Sequence, residues 1–188
     1  MTTMEKIWLK KYPKEIPHEV DLPRIPVSQF LTDAYEANPG GIAIHFLGRE
    51  LTYKELRDSA LKFANYLKSL GVEKGDRVAI YLPNCPQAVI AYFGTLYAGG
   101  IVVQTNPLYT ERELQYQMAD SGAKVILAMD ILYPRVMKVI QETNIENVIV
   151  SGIKDYLPFP KNLIYPFIQK KQYGFSVKVE HKGQSHLF

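Results

Sequence analysis

Seven residues carry the side chains best suited to meet a ligand: Gln104-Thr105-Asn106-Pro107-Leu108-Tyr109-Thr110. They follow the apolar run 101–103 and so leave the carboxyl end of a predicted strand, where open α/β sheets place their ligands. Thr105 and Asn106 offer donors and acceptors there. Thr110 starts a predicted helix whose free amides can face an anion. The same residue types also build turns and helix caps, so a purely local role competes with substrate binding.

Other chemistries fit less well. A dinucleotide fold needs G-x-G-x-x-G directly after a strand, so that backbone can approach a pyrophosphate. Here the first strand runs into Leu82-Pro83-Asn84-Cys85-Pro86, which has no glycine, and its prolines donate no amide. Gly94 and Gly99 have the first spacing of a phosphate loop, but Gly100 and Ile101 stand where Lys and Ser/Thr are required. Gly94 is read instead as letting a helix pack close to the sheet, with Gly99 and Gly100 ending that helix. His18, His45, His181 and His186 are scattered and pair with no cysteine at a ligand spacing, so no metal site is expected. His45 lies on an alternating strand and reads as a packed or rim histidine. Cys85 opens a predicted helix, a place that can lower a thiol pKa, or else it is a small apolar plug.

The elements that must position these residues follow from periodicity. Residues 1–27 carry Pro13, Pro17, Pro23 and Pro26, and read as an extended arm. Ser28 is the expected cap of a helix reaching Ala37, which Pro39-Gly40-Gly41 ends. Ile42, Ile44 and Phe46 alternate with a period of two, Gly48 makes the turn and Glu50-Leu51 starts the return of a hairpin. Thr52 and Glu55 form a capping box, after which Leu56, Ala60, Phe63, Leu67 and Leu70 make one helical stripe that Gly71 stops. Apolar runs at 78–82, 101–103, 125–129 and 148–150 recur about every 23 residues, room for one helix and two loops each. Runs apolar on both faces suit buried parallel strands. Asn84, a second capping box at Thr110 and Glu113, and Asp130 are the expected helix starts between them, with Asn144 a stop.

The expectation is an α/β fold: a mostly parallel sheet with helices on both faces, preceded by the arm and hairpin, with right-handed crossovers. Residues 28–153 hold the α/β part. Residues 154–188 form a basic tail, with a linker at Leu157-Pro158-Phe159-Pro160 and a short helix over 162–171 that Pro166 interrupts or starts. Phe175, Val177 and Val179 alternate like a strand without a partner.

With 188 residues, 47% of them hydrophobic, a packed core is expected. A net charge of +3 is too mild to argue for nucleic acid. From residue 154 on, six lysines face only Asp155 and Glu180. With Phe159, Tyr165, Phe167 and Ile168 they suit either an interfacial membrane helix or a helix docked on further protein. Cys85 is the only cysteine, the start lacks an apolar signal-peptide core and no apolar stretch reaches about 18 residues, so a cytoplasmic protein is expected.

Four motifs in order, Leu51-Thr-Tyr-Lys-Glu-Leu56, Gly75-Asp-Arg-Val78, Tyr97-Ala-Gly-Gly100 and Thr105-Asn-Pro107, carry a resemblance. The chain from about Pro39 onward resembles the N-terminal part of the acyl-adenylate-forming, AMP-binding enzymes, and most of all bacterial long-chain fatty acid–CoA ligases. That resemblance implies a partial N-terminal domain of the adenylate-forming fold. It also implies an enzyme that activates a fatty acid with ATP and Mg2+, releases pyrophosphate, and passes the acyl group to CoA. The family's core chemistry comes from a Ser/Thr/Gly-rich loop with a lysine, an aromatic-Thr-Glu motif, a ribose-binding Asp and a C-terminal lysine. None has a match here, so no catalytic or metal-binding residue is carried over and the chain alone is expected to be inactive. What it would supply is scaffold, part of the acyl and CoA surroundings, and a homodimer surface from the arm. The alternative is a non-catalytic binding or dimerisation module built on a ligase scaffold.

Overall fold

The computed structural model describes residues 6–173 and 185–187. The described part of the arm has a 3₁₀ turn at Ile7–Lys11 and runs irregularly to Pro26, so that part is only partly extended. Trp8, Val20 and Leu22 on it face solvent. Helix α1 (Val27–Ala37) starts before Ser28, and Pro26 is its N-cap. Proline already fixes the φ that a cap needs, so no hydroxyl is required there. The Ser28 carbonyl instead accepts from the Tyr97 hydroxyl at 3.4 Å.

The hairpin forms as expected, with β1 (Ile42–Phe46) antiparallel to β2 (Arg49–Thr52). Its two-residue connection puts both Leu47 (φ 51°) and Gly48 (φ 95°) in the left-handed region, which matches the twist of the strands. Helix α2 (Tyr53–Ser69) opens with the capping box: the Thr52 amide donates to the Glu55 carboxylate at 2.8 Å and the Glu55 amide to Thr52 Oγ1 at 3.2 Å. Its stripe of Leu56, Ala60, Phe63 and Leu67 is buried.

The main sheet follows: β3 (Arg77–Tyr81), α3 (Pro86–Ala98), β4 (Ile101–Gln104), α4 (Glu111–Ser121), β5 (Val125–Met129), α5 (Tyr133–Val139), β6 (Asn147–Ser151), α6 (Lys161–Tyr173) and β7 (Ser185–Leu187). The strands lie in the order β4-β3-β5-β6-β7, and every pairing is parallel. After β4 the chain passes back over β3 and lays β5 on its far side. Winding therefore reverses beside β3, the kind of switch point at which open α/β sheets hold ligands.

Alternate strand residues feed two cores. Val78, Ile80, Leu127 and Ile149 pack with α2 and α3 on one face, whereas Ala79, Tyr81, Ile126, Ala128 and Val148 pack with α4 and α5 on the other. The strands are apolar on both faces for that reason. Gly94 serves a helix–helix contact and not the sheet. A Cβ there would lie 2.8 Å from the Ala60 carbonyl oxygen and 2.8 Å from Phe63 Cδ1, both on α2.

Two helix starts differ from the sequence pattern. Cys85, not Asn84, is the N-cap of α3, and its side chain makes no capping bond. Pro86 forces the residue before it into extended backbone, so the helix boundary falls at Cys85. Asp130 Oδ1 accepts from the Ile131 amide at 2.8 Å and opens a 3₁₀ turn, with α5 beginning only at Tyr133. That helix ends at Val139, ahead of Asn144, in a further 3₁₀ turn at Ile140–Glu142. Pro166 lies inside α6 and neither starts nor ends it. The Gln169 amide, buried, donates to Asp130 Oδ2 at 2.8 Å, while Leu163 and Phe167 face outward. Phe175, Val177 and Val179 lie outside the described residues. No helix among the described residues is long and apolar enough to cross a membrane.

Asp76 ties the loop before β3 to the sheet. Its carboxylate accepts from the Glu73 amide at 2.9 Å and pairs with Lys124 Nζ at 2.9 Å. The amide and the ammonium hold its carboxyl below the usual carboxylate range. A depressed folded-state pKa gives stability that is complete above the unfolded value of about 3.9 and is lost as pH falls through the folded value. Asp76→Asn is therefore expected to lower unfolding free energy at pH 7. The gap to the native chain should close as pH falls below that of an unfolded aspartate. Urea unfolding at several pH values measures it, and a pH-independent gap would contradict the assignment.

Candidate functional site

A cleft of about 570 Å³ opens at the carboxyl ends of β3 and β4. Leu82, Pro83 and Asn84 continue from β3, and Gln104 ends β4. Cys85, Ala88, Val89 and Tyr92 come from the start of α3, and β1 closes the far side with Ile44, His45 and Phe46. Most of this wall is apolar, with the side chains of His45, Asn84 and Gln104 as polar points on the rim. Such a mixture suits an organic ligand whose orientation is set by a few polar groups.

His45 is an exposed rim residue. It pairs across the hairpin with Glu50, Nδ1 to carboxylate at 3.3 Å. Cys85 is buried, and burial pushes its thiol pKa up against the smaller opposing pull of the Ala88 and Gln87 amides. It is thus an apolar plug, not an activated nucleophile.

The turn beyond β4 lies beside this cleft and is held by a series of local hydrogen bonds. The Thr105 amide donates to the Ile80 carbonyl at 3.1 Å and its hydroxyl to the Val103 carbonyl at 3.4 Å. Thr105 is buried. Asn106 is exposed: its Oδ1 accepts from the Leu108 amide at 3.0 Å, and its carbonyl accepts from the Tyr109 amide at 3.0 Å. Thr110 caps α4 through its box with Glu113, the Thr110 amide donating to that carboxylate at 2.8 Å. These amide and hydroxyl bonds hold the Glu113 carboxyl below its ordinary range. Thr105, Asn106 and Thr110 are therefore brought onto one turn, and all three side chains take part in shaping it. Only the neighbouring Gln104 lines the cleft.

Sequence reasoning missed two residues that reach this turn from other elements. Tyr81, fully buried at the end of β3, donates its hydroxyl to the Tyr109 carbonyl at 3.3 Å. Arg135 of α5 donates to the same carbonyl at 2.6 Å and to the Tyr81 hydroxyl at 3.0 Å. Neither contact leaves a local signal, because 28 and 26 residues separate the partners. The strand-end rule could have singled out Asn84, which leaves β3 as Thr105 leaves β4.

Among the described residues no group of three His, Cys, Asp or Glu side chains could hold a metal ion.

A family model described as AMP-binding enzyme matches residues 31–183. A long-chain-fatty-acid–CoA ligase of Bacillus subtilis is 49% identical over 168 residues, covering 89% of this chain and 30% of that protein. The corresponding ligase of Yersinia pestis is 40% identical over 172 residues, with the same shares. Among solved structures, an anthranilate CoA ligase in complex with anthranoyl-AMP superposes with a TM-score of 0.67 at 25% identity, over 77% of this chain and 29% of that one. A long-chain-fatty-acid-CoA ligase from Archaeoglobus fulgidus gives a TM-score of 0.64 at 22% identity over 70% and 28%, and shows the shared fold. The chain spans about 30% of the length of the curated relatives it matches. A match over residues 31–183, on a sheet shared with solved CoA ligases, places the chain in the AMP-binding enzyme family.

Proposed function

We propose that this chain forms the N-terminal part of a long-chain fatty acid–CoA ligase. The whole enzyme would join a fatty acid to ATP as an acyl-adenylate, release pyrophosphate and transfer the acyl group to CoA. The observation that carries this reading is the 49% identity over 168 residues with the Bacillus subtilis ligase. On this chain the contribution is scaffold and substrate surroundings. Phosphate chemistry needs a flexible cradle rich in hydroxyls and amides, and the strand ends here carry Pro83, Pro86 and Pro107 instead.

In this reading the Thr105–Asn106–Thr110 turn contacts CoA or the acyl-adenylate from the carboxyl end of the sheet. On its crest Asn106 and Leu108 are exposed, Leu108 84% so, with Pro107 half-buried between them. The test uses the Bacillus subtilis ligase with its corresponding segment replaced by this chain. The chimera is expected to make palmitoyl-CoA. A folded chimera that makes none sinks the proposal. Within it, Asn106→Ala removes the acceptor that shapes the crest and should raise KM for CoA or for the adenylate by on the order of tenfold. Unchanged kinetics with normal stability would remove the turn from the substrate surroundings. Cytoplasmic residence, a homodimer through the arm and a peripheral membrane contact through the basic tail belong to the same reading. Size-exclusion chromatography and flotation of the chimera with anionic liposomes decide the last two.

A further inference from the structure

We infer that Arg135 is the positioning residue that fixes the 105–110 turn for its substrate; this rests on the proposed reading of that turn. The turn's two ends are held differently. At its start the Gln104 carbonyl accepts from Gln117 Nε2 at 3.0 Å, a bond from the α4 helix that the turn itself leads into. At its end the Tyr109 carbonyl accepts from Arg135 Nη1 and from the Tyr81 hydroxyl, groups on α5 and β3. Arg135 also donates to that hydroxyl, so the guanidinium, the phenol and the carbonyl close a triangle.

This triangle is a side-chain link that ties the end of the turn to the body of the sheet. Tyr81 is fully buried and its ring is fixed by the α4–α5 core, so its hydroxyl is a stationary reference point. Arg135 bridges that point to the carbonyl immediately before Thr110, the cap of α4. A hydrogen bond from a cation is roughly twice as strong as a neutral one. A second bridge lies one helical turn on, where Lys138 Nζ meets Glu111 at 2.6 Å. That pair is exposed, so it contributes little and cannot replace Arg135. Without Arg135 the Tyr109 carbonyl keeps only the longer phenol bond. The crest of Asn106 and Leu108 then loses its fixed distance from the cleft. Misplacing a substrate contact by a fraction of an ångström to an ångström is costly to binding and rate, while the fold itself remains.

Two measurements test this. In the 188-residue chain, Arg135→Met keeps the aliphatic stem and removes the donors. Amide hydrogen exchange should rise over residues 106–110, Arg135→Lys should restore part of the protection, and β5 and β6 should stay protected. In the chimeric ligase, Arg135→Met should raise KM for the turn's substrate by on the order of tenfold. Acyl-adenylate formation should change little if CoA is that substrate. Val136→Ala, on the same helix but wholly in the core, should lower stability without moving that KM. Exchange unchanged in Arg135→Met, or an equal KM change in Val136→Ala, overturns the inference. A chimera silent with Arg135 in place counts against the proposed function alone. In that case exchange in the isolated chain still decides whether Arg135 fixes the turn.

Discussion

Gly94→Val should abolish cooperative folding, and Gly94→Ala should lower unfolding free energy by up to about 2 kcal/mol. Two effects oppose each other. Alanine in place of a helical glycine gains about 1 kcal/mol of helix propensity. Against this, the new Cβ falls 2.8 Å from the Ala60 carbonyl oxygen and 2.8 Å from Phe63 Cδ1. The carbonyl is part of the α2 backbone and cannot swing aside, so the two helices must separate along their whole contact. Forcing even a methyl group into a close-packed interface costs about 1–3 kcal/mol, and the two branches of valine add to that. A domain of this size has only about 5–15 kcal/mol in hand. Gly40→Ala is the control, because nothing lies within 4 Å of a Cβ there. Urea unfolding should place Gly40→Ala near the native chain and Gly94→Ala well below it. Equal midpoints would mean that α2 and α3 do not approach as described.

Leu127→Ala should cost about 3–4 kcal/mol. Leu127 is the middle residue of β5, fully buried, and its register partners are Ile80 on β3 and Ile149 on β6. All three point into the core beneath α2 and α3. Neighbouring strands hold the backbone on both sides, so the site cannot collapse and a cavity term adds to the lost transfer energy. Ile101→Ala removes a similar side chain from β4, at the sheet edge, where Ile101 is 51% exposed. Its cost should stay near or below about 1 kcal/mol. Similar losses at both positions would contradict the strand order.

These two positions also show what the sequence made legible. Leu127 lies in a run apolar on both faces, and such a run has few places to go except the middle of a covered parallel sheet. The box at Thr52 and Glu55 was readable because both partners lie within four residues. Gly94 was readable as a close approach but not as to what it approaches, since α2 and α3 meet through side chains about thirty residues apart in sequence. The order β4-β3-β5-β6-β7 was not readable, because the apolar runs are near-equivalent and the chain's reversal beside β3 is a long-range choice. The caps expected at Ser28 and Asn84 were displaced by Pro26 and Pro86, whose fixed backbone sets the boundary ahead of any side-chain bond. Pro166, expected to interrupt or start the last helix, lies within α6.

For the candidate site, the sequence located the turn but not its supports. Asn106 and Thr110 advertise themselves by residue type, and a turn followed by a capping box is a local pattern. Tyr81 reads as a core aromatic and Arg135 as a surface charge on a short helix. Only folding brings both to the Tyr109 carbonyl. The cleft is invisible for the same reason, since Ile44 and Phe46 of the hairpin meet Val89 and Tyr92 only across the packed molecule.

The most direct test of the central claim, scaffold without phosphate chemistry, is pyrophosphate release from ATP and palmitate. It should be measured on the 188-residue chain and on the chimeric Bacillus subtilis ligase side by side. The expected result is none from the chain and sustained release, with palmitoyl-CoA formed, from the chimera. Turnover by the isolated chain, or silence from a folded chimera, would contradict the account.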